Sequence, residues 1–368
     1  MQMSTKELYE ASTRKKRAFI IGLSITLFIS CILSLGIGAV DIGFLDVIRS
    51  IGHSIIPSIP GPEYSWYTTI VMSERFPRTL LCILCGLSLA ISGAVMQNIL
   101  RNPLVSPFTL GVSSAASFGA SIAIVLGSTV MASVMSLSID IGNISISMET
   151  VCTVGLAFIA GLGSIWFILL LSRKRNISRS TIILSGVIIS YLFQAGISFM
   201  KYISDDDALR EITLWLMGGM WNASWGVIAF IFPIVLIVAI ILESYAVRIN
   251  VLAAGDDVAE SLGVDVDKLR KNSLILCTLI TSICIAFTGV IGFVGLIAPH
   301  VCRMVIGNDN RYLIPASALF GGIILLISDI VSRIIIKPEE LPVGIIMYIL
   351  GGLFFIWLVT TKKKEVRM

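Results

Sequence analysis

Residues 225–243 read WGVIAFIFPIVLIVAIILE, and residues 252–271 read LAAGDDVAESLGVDVDKLRK. The first run carries no charge before its last position. As a helix rising 1.5 Å per residue it extends about 28 Å, close to the ~30 Å hydrocarbon core of a bilayer. The second run is polar and helix-prone, and a further long apolar block follows it. The first run does not alternate polar and apolar residues as a barrel strand must, so a helix is its way to satisfy backbone hydrogen bonds in lipid. A chain that moves from a spanning helix to a compact charged segment and back is an all-α polytopic membrane protein.

The same reading extends outward. Of the 368 residues 56% are hydrophobic and 14% charged, and the mean hydropathy is +0.95, far from the composition of a soluble domain. We place ten spans at about 18–40, 79–100, 108–134, 149–172, 181–200, 225–243, 273–291, 293–306, 313–336 and 341–361. With the N-terminus inside, nineteen Lys and Arg residues fall on inner segments and seven on outer ones. The positive-inside rule then puts both termini in the cytoplasm. The organisation is a cytoplasmic tail 1–17, a membrane domain 18–361 holding a cytoplasmic segment 244–272, and a tail 362–368. The outer loop 41–78 is rich in Pro and aromatic residues, and the loop 201–224 is read as a short surface helix ending at Gly218-Gly219.

Several chemistries are set aside. The seven cysteines are mostly inside apolar blocks, and the C-x-x-C of Cys82 and Cys85 has no second ligand pair, so packing is favoured over metal binding. The two histidines, His53 and His300, form no cluster, and no metal site is expected. No G-x-x-x-x-G-K-[ST] phosphate loop occurs, so no cofactor is expected on this chain. The net charge of +4 reflects basic flanks rather than a nucleic-acid surface. Asp329 is almost the only intramembrane carboxylate, and an ion-coupled secondary carrier would depend on it. It lies four residues before Arg333, which allows a local ion pair instead.

Three stretches carry a recognisable pattern. They are RFPRTLLCILCGLSLAISGAVMQNILRNPLVSPFTLGVSSAASFGA at 75–120, the segment from Gly255 to Lys271, and GVIGFVGLIAPHVCRMVIGNDNRYLIPASALFGGIILLISDIVSRI at 289–334, the last followed by ELPVG at 340–344. In this order they resemble the FecCD-type permeases of ABC importers for iron-siderophore, haem or cobalamin. The resemblance implies a ten-helix permease of the cell membrane that pairs with a second copy or a close relative. It implies two ATPase subunits on the cytoplasmic side, which hold ATP and Mg, and a substrate-binding protein on the outer side. The expected cargo is a metal chelate, with an iron(III)-siderophore ahead of haem or cobalamin.

The resemblance also implies site residues. Gly255 to Arg270 matches the ATPase-coupling element, expected as two short helices joined at Gly263. Its apolar knobs would be Val258, Leu262, Val264 and Leu269 around Ala259, with Asp256, Asp257, Glu260 and Arg270 as a polar rim and Asp256 also capping the first helix. Arg75, Arg78 and Arg333 match the arginines that receive carboxylates of the docking protein, a task suited to the planar guanidinium fork. One cytoplasmic gate is Asn102, Pro103 and Leu104. A second is Ser178, Arg179, Ser180 and Thr181, where Arg179 replaces the small polar residue the pattern expects. Gln97 and Asn98 either line the pathway or bind helices together.

Overall fold

The computed structural model describes residues 5–129, 138–141, 144–173 and 179–365. Its helices are α1 (Thr5–Gly36), α2 (Phe44–Ile55), α3 (Ser65–Ile99), α4 (Val112–Thr129), α5 (Met148–Arg173), α6 (Arg179–Ile203) and α7 (Asp206–Met217). They continue as α8 (Trp225–Ser244), α9 (Ala246–Ala254), α10 (Asp256–Ser261), α11 (Val266–Thr288), α12 (Val294–Ile306), α13 (Asn310–Ile334) and α14 (Val343–Glu365). Among the described residues eight helices are long and apolar enough to cross a membrane, and two shorter apolar stretches, Val112–Ser128 and Val294–Ile306, join them. Those ten segments correspond to the ten expected spans.

α3 is the hub of the bundle. Of its most apolar window 83% is buried, against 28% for α5, α6, α8 and α14, which form the flanks. Small residues let its neighbours approach backbone to backbone. A Cβ added at Gly93 would lie 1.8 Å from the carbonyl oxygen of Gly295 on α12, and one at Gly86 would lie 2.3 Å from that of Gly321 on α13. The helix also differs from the sequence reading, because it starts at Ser65 rather than near 79. Pro77 and the charges Glu74, Arg75 and Arg78 read as loop, yet a π-helical turn over Ile70–Arg75 carries the helix through them. The Phe76 amide bonds back five residues to Val71, so the wider turn runs directly into the segment that holds the proline.

The outer loop 41–78 likewise contains the amphipathic α2, whose Val47 and Ser50 are buried. The surface helix expected in 201–224 is α7, capped by Asp205, which accepts from the Ala208 amide at 2.8 Å, and ended by Gly218 at φ 67°. The described residues also include a short hairpin, in which β1 (Ser138–Ile141) and β2 (Ile144–Ser147) pair antiparallel with Ser138 opposite Ser147.

Candidate functional site

The segment singled out in the sequence forms a compact corner. α10 is only six residues long. It ends in a paired-turn motif in which the Gly263 amide bonds Glu260 O at 2.9 Å and the Val264 amide bonds Ala259 O at 2.9 Å. Gly263 sits at φ 79°, the left-handed position that this ending requires of its glycine. Asp265 then caps α11 through the Lys268 amide at 2.9 Å.

Several expectations for this corner are corrected. The second short helix is the first turns of α11, which begins at Val266 rather than near 273. Ala259 and Leu269 face the core, and Val264 packs partly against it, so the outward apolar pair is Val258 and Leu262, the latter 66% exposed. Asp257 and Glu260 form the exposed polar rim. Arg270 is buried instead. Asp256 makes no cap bond, since Gly255 is the capping residue. The mis-assignments share a cause: α10 is too short to bury one clean face, and α11 takes over its neighbours.

The Asp256 carboxylate gathers arginines from three other elements. Its oxygens lie 2.6 Å from Arg179, 3.1 Å from Arg270 and 3.6 Å from Arg101. Burial alone would raise its pKa, but the bonds from Arg179 and Arg270 hold it below the usual carboxylate value. The pKa of Arg101 is also lowered, first by burial and then by the like charge of Arg179.

Arg101 occupies the position after α3 where a glycine is usual. It has φ 46°, and the flanking bonds, Arg101 N to Asn98 O at 3.2 Å and Asn102 N to Gln97 O at 3.0 Å, are those of a glycine-type helix ending. An L-residue there costs about 1–2 kcal/mol. The side chain offsets that cost by reaching the Leu252 carbonyl from Nε at 3.1 Å and by facing Asp256. Beyond it Asn102 Oδ1 accepts from the Leu104 amide at 2.9 Å, Pro103 prevents a helical restart, and Leu104 projects outward. Arg179 is the first residue of α6, followed by exposed Ser180 and half-buried Thr181. Ser178 lies outside the described residues.

Gln97 and Asn98 both make interhelical bonds. Gln97 donates to Gly295 O at 3.1 Å and accepts from Arg303 at 3.0 Å. Asn98 donates to Asn310 at 3.0 Å, Asn310 donates to Asn250 at 2.8 Å, and Asn250 donates to Asp309 at 2.9 Å. Asp309 also pairs with Arg311 at 2.8 Å and Lys16 at 3.8 Å. The bond from Arg311 leads the groups that bring its pKa down to about 2.

The second charged cluster is at the far end of α3, roughly 30 Å away at 1.5 Å per residue. Asp329 is wholly buried between Arg78 at 2.9 Å and Arg333 at 3.1 Å, and Arg78 also meets Glu340 at 2.6 Å. The local pair with Arg333 was legible in the sequence, but the contact with Arg78 spans 251 positions and was not. Two cations on one carboxylate leave Asp329 no free charge for ion coupling. Arg75 donates to the carbonyls of Leu35 at 2.9 Å and Gly36 at 2.8 Å and also to Val40 O, while Arg333 donates to Ile37 O at 2.8 Å and Ser34 Oγ at 2.8 Å. Both guanidinium groups therefore brace the end of α1, a role the motif did not announce. All three arginines line a 270 Å³ cavity with Glu74 and Glu340, and Arg78 is the most accessible of them. His300 stacks edge-on against Phe354, and Cys82 and Cys85 are buried free thiols.

Comparison with known proteins places this geometry. The model of the FecCD transport family matches residues 26–361. The hemin transport system permease protein of Yersinia pestis is 33% identical, over 90% of this chain and 93% of its own. The Fe(3+)-citrate import system permease protein YfmE of Bacillus subtilis is 31% identical over 96% and 99%. The cobalamin import system permease protein of Halobacterium salinarum is 37% identical over 81% and 74%. A solved structure, described as an inward-facing conformation of a transporter assigned to the metal-chelate ABC type, superposes with a TM-score of 0.79. It is 31% identical and covers 94% of this chain and 99% of its own.

Proposed function

The chain belongs to the FecCD transport family, as a multi-pass permease of the cell membrane, and from that membership we propose that it forms the translocation pathway of an ATP-driven importer for an iron(III)-siderophore. It performs no covalent chemistry in this reading. Two separate ATPase subunits bind ATP and Mg beneath it, and a second copy or a close relative completes the pore. A substrate-binding protein delivers cargo at the end that holds Arg78.

The observation that carries the coupling reading is the corner at α10. Val258 and Leu262 point outward from a short helix whose base is bonded to both candidate gate turns. A polar surface with two apolar knobs on a braced support fits a rigid contact with a moving partner. Cargo class is supported by the relatives, whose names cover haem, ferric citrate and cobalamin, and two of those three carry iron.

For docking, the reading favours Arg78. Glu340 already gives it one carboxylate at the cavity mouth, and a carboxylate from the binding protein would compete for the same guanidinium edge.

The test is a gentle-detergent purification of the tagged chain from its native membranes, with partners identified by mass. A P-loop ATPase is expected in the wild type, with recovery at least tenfold lower for Leu262→Asp. An absorption spectrum of any co-purified binding protein would show a ferric-siderophore charge-transfer band, and a haem or corrin band would replace the proposed cargo. Failure to recover an ATPase even after mild cross-linking would overturn the coupling reading.

A further inference from the structure

The Asp256 cluster joins three pieces of chain that the importer reading treats separately. Asp256 is the first residue of α10, the helix that carries the outward knobs. Arg101 is the residue immediately before the Asn102–Leu104 turn, and Arg179 opens α6 at the second gate. Arg270 anchors the same carboxylate from α11 and is buried, with Asp267 a further 3.8 Å away. Any displacement of α10 therefore moves an anion held by Arg101, which precedes one gate turn, and by Arg179, which lies within the other.

Two features show that this junction is built and not incidental. Arg101 keeps a left-handed backbone at a position glycine would occupy without strain, and its side chain is used on Leu252 O and Asp256. Arg179 reaches Asp256 from the start of α6, and its guanidinium makes the shortest contact in the cluster.

We propose that Asp256 is a positioning residue of the transport cycle, the carboxylate through which movement of the ATPase-coupling helix reaches both cytoplasmic gate turns. The proposal rests on the coupling reading above. Without the carboxylate, Arg101, Arg179 and Arg270 would repel one another, and the gate turns would lose their tie to α10. The Asp256 side chain is 33% exposed and those of Arg101 and Arg179 are 28% exposed, so these two ion pairs can be remade during a cycle at little cost while the buried Arg270 stays as the anchor.

The test is hydrogen–deuterium exchange on the complete transporter with its ATPase subunits, with and without trapping by ATP and vanadate. In the wild type, trapping should change exchange in peptides covering 255–263 and also in those covering 100–105 and 179–183. In Asp256→Asn the change at 255–263 should persist while the response of both gate peptides falls about tenfold, the scale of a lost pairwise coupling. Asp256→Glu should restore most of it, which a general folding defect would not allow. Arg179→Gln should add little on top of Asp256→Asn. Gate peptides that respond in Asp256→Asn as in the wild type, or a Glu variant no better than Asn, would overturn the proposal. A wild type whose 255–263 peptides ignore trapping would sink the coupling reading itself, and the proposal with it.

Discussion

The two ends of α3 solve the same electrostatic problem in opposite ways. At one end a wholly buried Asp329 holds the buried Arg333 and the largely covered Arg78, and both arginines are further tied to the end of α1 or to Glu340. At the other end Asp256 holds Arg101, Arg179 and Arg270 with a third of its side chain open to solvent. A buried, multiply bonded pair is costly to break, whereas a half-open one exchanges partners at little cost. The first arrangement suits a fixed brace. The second suits a joint between segments that move.

Substitutions can break this contrast. Asp329→Asn leaves the buried Arg333 without a carboxylate and Arg78 with Glu340 alone, and the expected loss is about 3–5 kcal/mol, read as a lower thermal midpoint and a lower yield of purified protein. Should Asp329→Asn prove harmless, the brace would not be one. Arg78→Lys keeps the charge but loses the planar fork, with an expected cost of roughly 1–2 kcal/mol in the same assay. Asp256→Ala should cost about 1 kcal/mol or less in that assay, and a loss comparable to that of Asp329→Asn would erase the distinction.

The smallest effect belongs to Asp309→Asn, because asparagine still caps α13 and only the charge is removed. The wild-type carboxylate has its pKa depressed from 3.8 to about 2, chiefly by Arg311. Its contribution is therefore present above about pH 4 and is lost as the pH falls toward 2. The midpoint of the variant should sit about 1 °C below the wild type at pH 6, with the gap narrowing below about pH 4 and closing near pH 2.

The sequence could be read wherever the deciding physics is local. Apolar runs located the ten spans, the glycine at 263 located the corner, and Gly218-Gly219 marked the end of the surface helix. Reading failed where a local signal pointed the wrong way. Charges and a proline hid fourteen residues of helix between Ser65 and Arg78, and a capping-type residue at 256 turned out to be an ion-pair hub. Arg179 looked like a flaw in a gate motif, yet its partner is a residue 77 positions away.

Hydropathy and helical period act over a few residues, so composition and spacing by themselves determined the class of the protein, its spans and, through the ordered motifs, its family. Which charges meet is a property of packing. The contact of Arg78 with Asp329 exists because α3 and α13 touch at Gly86 and Gly321. The contacts at Asp256 exist because α9 and α10 lie under the ends of α3 and α6. Only the tertiary structure decided these, since a guanidinium takes the carboxylate that helix packing brings within reach, whatever the distance between them along the chain.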